Sequence, residues 1–413
     1  MMTPDSLEVT IERILPGGLG LAHAEGRTVM VALAAPGDRL RVQIDRIKGS
    51  VSFASIQEII TPSPQRIAPP CPYFGRCGGC DFQQLTYEAQ LETKKEIIRD
   101  CLRRLGGIQE LPDFQITPAP NQWHYRTRAQ WQYDDVRQRL GYFESGSRRV
   151  CDVAECAVLA SELQQTLESL RDQMRAGSLT EETRDFRAVV GDDHVSLAPA
   201  HVSGPSVTEG SHAERNSEEV GDVARSINGE TYYLNAESFF QTNTDLLPQL
   251  IDAAVGRTQG QGCIELYSGV GLFTVPLARR FARVVAVEAD NSTARSARKN
   301  LAIAGLSNAK VISLDVGKWL ERSAAAWVES GCEETGKLDY LLLDPPRTGA
   351  ESRVIASILK LKPSHICYVS CDPATLARDL KKLIAGGYAL DSLAAFDMFP
   401  QTHHVETVVQ MST

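Results

Sequence analysis

The chain has 413 residues, 43% of them hydrophobic and 23% charged, with a formal net charge of −9. That is room for two or three domains with at least one sizeable core, and the acidic balance excludes wholesale electrostatic capture of nucleic acid while leaving local basic patches for it. Met1-Met-Thr-Pro-Asp-Ser6 lacks the basic and apolar regions of a signal peptide, no window approaches the roughly 18 apolar residues of a membrane span, and ten cysteines without a leader read as thiols, metal ligands or catalytic groups, so a soluble cytoplasmic protein is expected.

Residues 7–14, 27–32, 39–44 and 51–56 alternate apolar and polar side chains, punctuated by the turn signals Pro16-Gly-Gly18, Pro36-Gly-Asp38 and Lys48-Gly-Ser50. Short strands at this spacing predict a small barrel of the oligonucleotide-binding (OB) type over residues 1–62. Its bases are balanced by acids, so RNA contact and intramolecular docking are both open uses.

After a proline-rich linker, Cys71, Cys77 and Cys80 stand in a C-x5-C-x2-C spacing within a Gly/Pro-rich loop that can turn its sulfurs onto one centre. No second CxxC or HxxxH pair follows at zinc-finger distance. Iron–sulfur ligation by four cysteines fits better, with the fourth thiolate from Cys151 or Cys156. Leu91, Ile98, Cys101, Leu102 and Leu105 recur at helical spacing over 85–105, a helix that ends at Gly106-Gly107 and is free to pack on the C-terminal domain.

Trp123-His-Tyr-Arg-Thr-Arg-Ala-Gln-Trp-Gln-Tyr133, followed by Arg137, Arg139, Tyr142, Phe143, Arg148 and Arg149, interleaves aromatic and basic groups as strands that stack single-stranded bases would. An ordinary antiparallel sheet with a solvated basic face has the same pattern. Residues 201–228 are Ser/Gly/Glu-rich and predict a flexible insertion. The central domain is expected over 63–235.

Over 236–413 buried strands alternate with helices, which predicts a doubly wound, mostly parallel sheet. Gly269-x-Gly271 follows the first strand and Glu288 ends the second, the places of a close-approach turn and a ribose-binding acid. Thr274 stands where a dinucleotide cradle has its third glycine, which favours S-adenosylmethionine (SAM) over NAD. Asp344-Pro-Pro-Arg347 adds an acid to the same crevice. Cys371 follows the strand Ile366–Ser370 and precedes Asp372-Pro373, the N-cap and first-turn proline of the next helix. A thiol beside a helix's positive end is expected to have a lowered pKa, although a lone cysteine is also met as a core residue. Glu406 interrupts the apolar run Val405–Val409, where a charge needs solvent or a function.

Together, Phe239-Phe-Gln-Thr-Asn243, Glu265-Leu-Tyr-Ser-Gly-Val-Gly-Leu-Phe273, Asp344-Pro-Pro-Arg347, Tyr368-Val-Ser-Cys-Asp-Pro-Ala-Thr-Leu-Ala-Arg-Asp379 and His404-Val-Glu-Thr-Val-Val409 resemble the RNA 5-methyluridine methyltransferase family over nearly the whole chain. The resemblance implies an α/β fold: a class I SAM-dependent methyltransferase (Rossmann-like) domain with an N-terminal OB-like β-barrel (TRAM) and a central iron–sulfur-binding antiparallel β domain. It implies that Gln241, Tyr267, Gly269, Gly271, Glu288 and Asp344 bind SAM, that Cys371 is the nucleophile, and that Glu406 is the base. Leu272 departs from the family, which commonly has Asn there, and this puts one polar cofactor contact in doubt. The cysteine motif resembles that of members acting on 23S rRNA, with Cys71, Cys77, Cys80 and Cys156 as ligands of a [4Fe-4S] cluster and Cys151 left to the core. The tRNA-acting relatives typically lack both barrel and cluster. A monomer acting on a flipped uridine in an RNA loop, away from membranes, is expected. An RNA cytosine-C5 methyltransferase would commonly carry Pro-Cys in place of Asp344-Pro345. A non-catalytic iron–sulfur RNA-binding protein would leave Cys371, Glu406 and the glycine loop unexplained.

Overall fold

The computed structural model describes residues 6–179, 183–199, 220–329 and 338–413, the side chains of 323–329 excepted. The N-terminal six strands are β1 (Ser6–Thr10), β2 (Arg13–Ile14), β3 (Gly20–Ala24), β4 (Arg27–Val31), β5 (Arg39–Lys48) and β6 (Val51–Thr61). They form one sheet in the order β1-β5-β6-β4-β3-β2, which curls so that β1 approaches β3. Alternation sets the faces: Leu7 and Val9 of β1 point inward, and their neighbours Ser6, Glu8 and Thr10 are exposed. The stretch expected as one strand over 7–14 is broken in two, because the Ile11 N–H turns aside to the Asp38 carbonyl. Buried Asp38 also accepts from the Ala35 and Ser63 N–H groups and pairs with Arg66 at 2.5 Å, which ties the linker to the sheet.

The linker leads to α1 (Tyr87–Arg104), capped by the Thr86 hydroxyl, and then to the two-residue strand β7 (Ile116–Thr117). Strands β8 (Arg128–Asp134), β9 (Arg139–Phe143) and β10 (Val150–Asp152) follow, then α2 (Ser161–Arg175), β11 (Asp185–Val190) and β12 (Val195–Ala198). These strands make a five-stranded antiparallel sheet, β10-β9-β8-β11-β12, covered by α2. Here the expected base-stacking surface is corrected. Tyr125, Trp131 and Tyr133 are only 3%, 0% and 5% exposed. Alternation along β8 turns Trp131 and Tyr133 under α2, so these rings are core, and Tyr125 is buried just ahead of the strand, while Phe143 stays exposed.

The insertion expected over 201–228 stops short of its predicted end. Residues 201–219 lie outside the described residues, and β13 (Val223–Ile227) pairs with β14 (Glu230–Leu234) as a hairpin. Buried Asn300 receives the Tyr233 N–H on its carbonyl oxygen and donates to the Tyr233 carbonyl. The hairpin shares a core with the C-terminal sheet, so that domain's core begins well before residue 236.

The C-terminal domain comprises α3 (Leu247–Val255), β15 (Gly260–Leu266), α4 (Thr274–Ala278), β16 (Phe281–Glu288), α5 (Asn291–Ile303), β17 (Ala309–Ser313), α6 (Val316–Glu329), β18 (Tyr340–Leu343), α7 (Ser352–Leu361), β19 (His365–Ser370), α8 (Pro373–Ala385), β20 (Ala389–Phe396) and β21 (Glu406–Ser412). Its sheet has the order β17-β16-β15-β18-β19-β21-β20-β7, parallel from β17 to β19, with β21 antiparallel between β19 and β20. The inner strands β15, β16, β18, β19 and β21 are buried on both faces, as a helix-covered sheet requires. The central region contributes the last strand, β7, and α1 packs on α8 as the sequence suggests. No helix among the described residues is long and apolar enough to cross a membrane.

Candidate active site

In an open α/β sheet the carboxyl ends of the strands face a crevice, and that crevice is where ligands bind. Here it is a cavity of about 710 Å³, within the usual range for small-molecule sites. Gln241, Tyr267, Gly269, Glu288, Asp344, Cys371 and Glu406, all singled out in the sequence, line it together. Gly271 is the exception among the expected cofactor residues. It does not line the cavity; its φ of +92° turns the chain beneath it, which is reason enough for glycine.

The turn after β15 is built to hold an acid. Tyr267 has a φ of +63°, uncommon for a residue with a side chain, and Gly269 follows at +55°. The Gly269 N–H donates to Glu288 at 2.9 Å and the Asp290 N–H donates to the other Glu288 oxygen at 2.8 Å. Both carboxylate oxygens are thereby fixed at the cavity edge. Leu272 is buried in the wall and offers no polar contact.

Cys371 sits between the end of β19 and the start of α8. The Asp372 carboxylate caps that helix, accepting from the N–H groups of Ala374 (2.9 Å) and Thr375 (2.8 Å). The lowered thiol pKa expected from this position is corrected. Burial, followed by the nearby carboxyls of Glu406 and Asp344, pushes Cys371 up to about 12, with Arg347 pulling the other way. The helix cannot offset two neighbouring acids in a desolvated crevice, and Asp372 has already taken its first N–H groups.

Glu406 opens β21 in the sheet interior and is 2% exposed, so it is not an edge-strand residue facing solvent. Burial and the Asp344 charge raise it well above the usual carboxylate range, while Asp344 is pushed up to about 7 by its own burial. In the ligand-free protein burial therefore pushes the nucleophile candidate and the base candidate alike towards their protonated forms.

A third acid escaped the sequence reading. Glu265 is fully buried, its Oε2 accepts the Thr274 hydroxyl at 2.5 Å, and its Oε1 has no partner among the described residues. Its signal was the one noticed at Glu406: an acid inside an apolar strand. Burial pushes it up to about 8 from 4.5. A raised folded pKa gives stability that is complete below the unfolded pKa and is lost as pH rises through the folded one. The ligand-free protein should therefore lose stability between pH 5 and 8 through Glu265 and Asp344. Glu265→Gln should raise its melting midpoint at pH 8, with a gain on the order of a few kcal/mol, and change it little at pH 5. Thermal melts across that range check this.

A second, smaller cavity of about 50 Å³ is lined by Cys71, Cys77, Cys80 and Cys156, with Tyr73 and Phe74 beside them. Burial pushes Cys77 up to about 11 and Cys80 to about 12, and neighbouring thiols add to both shifts. Cys151 lies outside this cavity, buried, with the Arg76 Nε donating to its sulfur at 3.2 Å. Among the described residues, no group of three or more His, Cys, Asp or Glu side chains converges closely enough to hold a metal ion. Arg126 and Tyr142 line both cavities and form the wall between them.

Residues 217–413 match the family model described as tRNA (uracil-5-)-methyltransferase. The chain is 33% identical to the 23S rRNA (uracil(1939)-C(5))-methyltransferase RlmD of Alkalilimnicola ehrlichii, the match covering 98% of this chain and 96% of that protein. It is 30% identical to an uncharacterized RNA methyltransferase of Thermotoga maritima, over 98% of both chains. Among solved structures, the tRNA (uracil-54, C5)-methyltransferase of Pyrococcus abyssi, in complex with S-adenosyl-L-homocysteine, superposes with a TM-score of 0.72 at 23% identity, covering 98% of this chain and all of that one. That likeness concerns the fold.

Proposed function

The chain belongs to the RNA 5-methyluridine methyltransferase family and is a SAM-dependent RNA uracil-C5 methyltransferase; from that premise we propose that its substrate is a uridine of 23S rRNA, attacked by Cys371 and deprotonated by Glu406. The observation that carries the mechanism is that Cys371, Glu406 and Asp344 share one cavity with the glycine-loop acid Glu288. The end-to-end match to an enzyme named for 23S rRNA supports the target; the N-terminal sheet does not separate the two substrates, because the superposition with the tRNA enzyme covers 98% of this chain.

The C5 position of uracil is a weak nucleophile, so it must be activated covalently. The Cys371 thiolate adds to C6, and the electrons of the C5–C6 double bond move onto C5 and O4. Bound SAM supplies an electrophilic methyl group on a sulfonium. C5 takes that methyl group, and the Glu406 carboxylate removes the C5 proton. The double bond re-forms and Cys371 leaves as thiolate. Buried polar atoms suit such ligands: Glu265 Oε1, Ser268 Oγ and Thr242 Oγ1 lack partners among the described residues, and Ser268 and Thr242 line the cavity. A cationic sulfonium there favours ionised Asp344, Glu406 and Cys371, so the donor's arrival would arm nucleophile and base together. The uridine reaches the crevice by leaving its stack.

Cys71, Cys77, Cys80 and Cys156 would hold a [4Fe-4S] cluster. All four sulfur-bearing residues line one small cavity, and a [4Fe-4S] cluster would take one thiolate on each iron there. Protein purified anaerobically should be brown, with about four irons per chain; colourless protein containing stoichiometric zinc would reject the cluster. The enzyme is taken to act as a cytoplasmic monomer. The target is tested by incubating the protein with methyl-labelled SAM and separate 23S rRNA, 16S rRNA and tRNA transcripts. Label at one uridine of 23S rRNA is expected, and label confined to tRNA would overturn the assignment.

A further inference from the structure

The strand that carries Glu406 is reached through residues 397–405, and this segment is gripped from outside the C-terminal domain. The Asp81 and Phe82 N–H groups, directly after Cys80, both donate to the Gln401 carbonyl, at 3.1 and 3.0 Å. Asp81 Oδ1 accepts the His403 N–H at 2.8 Å, and Asp81 Oδ2 meets the His403 ring Nδ1 at 2.5 Å. Gln90 of α1 exchanges two hydrogen bonds with Gln401, donating to its Oε1 at 3.0 Å and accepting its backbone N–H at 2.9 Å. Lys94, one turn further on, donates to Asp397 at 2.5 Å and to the Phe399 carbonyl at 3.1 Å, and its pairing with Asp397 is fully buried. The Tyr125 hydroxyl donates to the Pro400 carbonyl at 3.0 Å.

Gln401 at the centre of this grip has a φ of +68°, a conformation that a residue with a side chain keeps only when its surroundings impose it. The N-terminal sheet closes the arrangement. Gly18, at φ +80°, lies so close that an added Cβ would stand 2.9 Å from Asp81 Oδ2 and 3.3 Å from His403 Nδ1. His403 is three residues before Glu406, with Val405 fully buried between them. A displacement of Asp81 is thus transmitted over a short, packed segment.

We propose that Asp81 is a positioning residue: through His403 it fastens the four-cysteine loop to the strand bearing Glu406, so that the cysteine loop sets the geometry of C5 deprotonation. This rests on the assignment of Glu406 as the base. The two faces of the cavity then have different supports. Cys371 is held by β19 and α8, within the C-terminal domain, whereas the segment that delivers Glu406 to β21 is held in addition by a contact made beside Cys80. Disturbing the contact should slow proton removal and leave thiolate attack and methyl transfer nearly intact.

The test uses full-length Asp81→Ala and Asp81→Asn proteins, with RNA carrying either uridine or 5-fluorouridine at the target. Fluorine cannot leave C5 as a proton does, so adduct formation on the fluorinated RNA reports Cys371 attack and methyl transfer without the base. For Asp81→Ala we expect a fluorinated adduct formed within about twofold of the wild-type rate, a 10- to 100-fold loss of turnover on uridine RNA, and a methylated protein–RNA adduct that accumulates on denaturing gels. Asp81→Asn, which keeps an acceptor for the His403 N–H, should recover most of the turnover. Unchanged turnover in Asp81→Ala would overturn the proposal, and so would a parallel loss of turnover and fluorinated adduct, since that is general disruption. If Asp81→Ala is insoluble, the same split between the two RNAs in Asp81→Asn decides. A wild-type protein that forms no fluorinated adduct would instead reject the covalent mechanism itself.

Discussion

Cys371→Ala should abolish uridine methylation, by at least about 10⁴-fold, and should leave no covalent adduct on 5-fluorouridine RNA. The expected loss is this large because, without addition at C6, the C5 carbon does not attack a methyl group at a useful rate. Cys371→Ser should fare no better, since an alcohol ionises far less readily than a thiol. The residual SAM affinity of Cys371→Ala should stay close to wild type, because the acids at the glycine loop are untouched. The environment of Cys371 adds a second expectation. Burial and two nearby carboxyls push the thiol of the ligand-free protein up to about 12, towards its protonated form. Adduct formation should therefore rise with pH between 6 and 9 as the thiolate fraction grows. An adduct that persists in Cys371→Ala would reject Cys371 as the attacking group, whereas a rate flat in pH with chemistry limiting would mean that the bound sulfonium has already ionised the thiol.

Much of this site was legible in the sequence because each of its parts breaks a local rule. Glu406 and Asp344 are charges at the ends of apolar strands, and Cys371 stands between a strand and a capped helix; such exceptions can be read residue by residue. The α/β alternation was equally plain, since buried parallel strands and amphipathic helices have different periods. What escaped depends on which groups meet in space. The Cys371 pKa moves up because β21, the C-terminal strand, brings Glu406 beside it, and no local pattern around Cys371 contains that information. Trp131 and Tyr133 look like a stacking platform until α2, which follows in the chain, is seen to cover their face. β3 was missed because Gly20-Leu-Ala-His-Ala24 has weak strand character and is ordered by its neighbours. Glu265 interrupts an apolar strand as Glu406 does, but nothing in its own strand shows that Thr274, at the start of α4, is its partner.

Glu406→Gln should lower product formation by about 10²- to 10⁴-fold while leaving adduct formation on 5-fluorouridine RNA intact, so that the methylated adduct builds up on ordinary uridine RNA. Glutamine keeps the shape and cannot take the C5 proton, which separates the two halves of the reaction. Asp344→Asn offers the complementary test. Asp344 is one of the two causes that hold Glu406 above the carboxylate range, the other being burial. Removing that like charge should lower the Glu406 pKa, so the base would ionise at lower pH and the rising limb of single-turnover proton removal would shift towards acid. Methyl transfer would weaken at the same time if Asp344 holds the donor, so the two effects have opposite signs on overall turnover and must be read from separate steps. A proton-removal profile that does not move in Asp344→Asn would mean that burial alone sets the Glu406 pKa; then the pair does not act as a unit, and the donor's charge must arm the base without help from its neighbour.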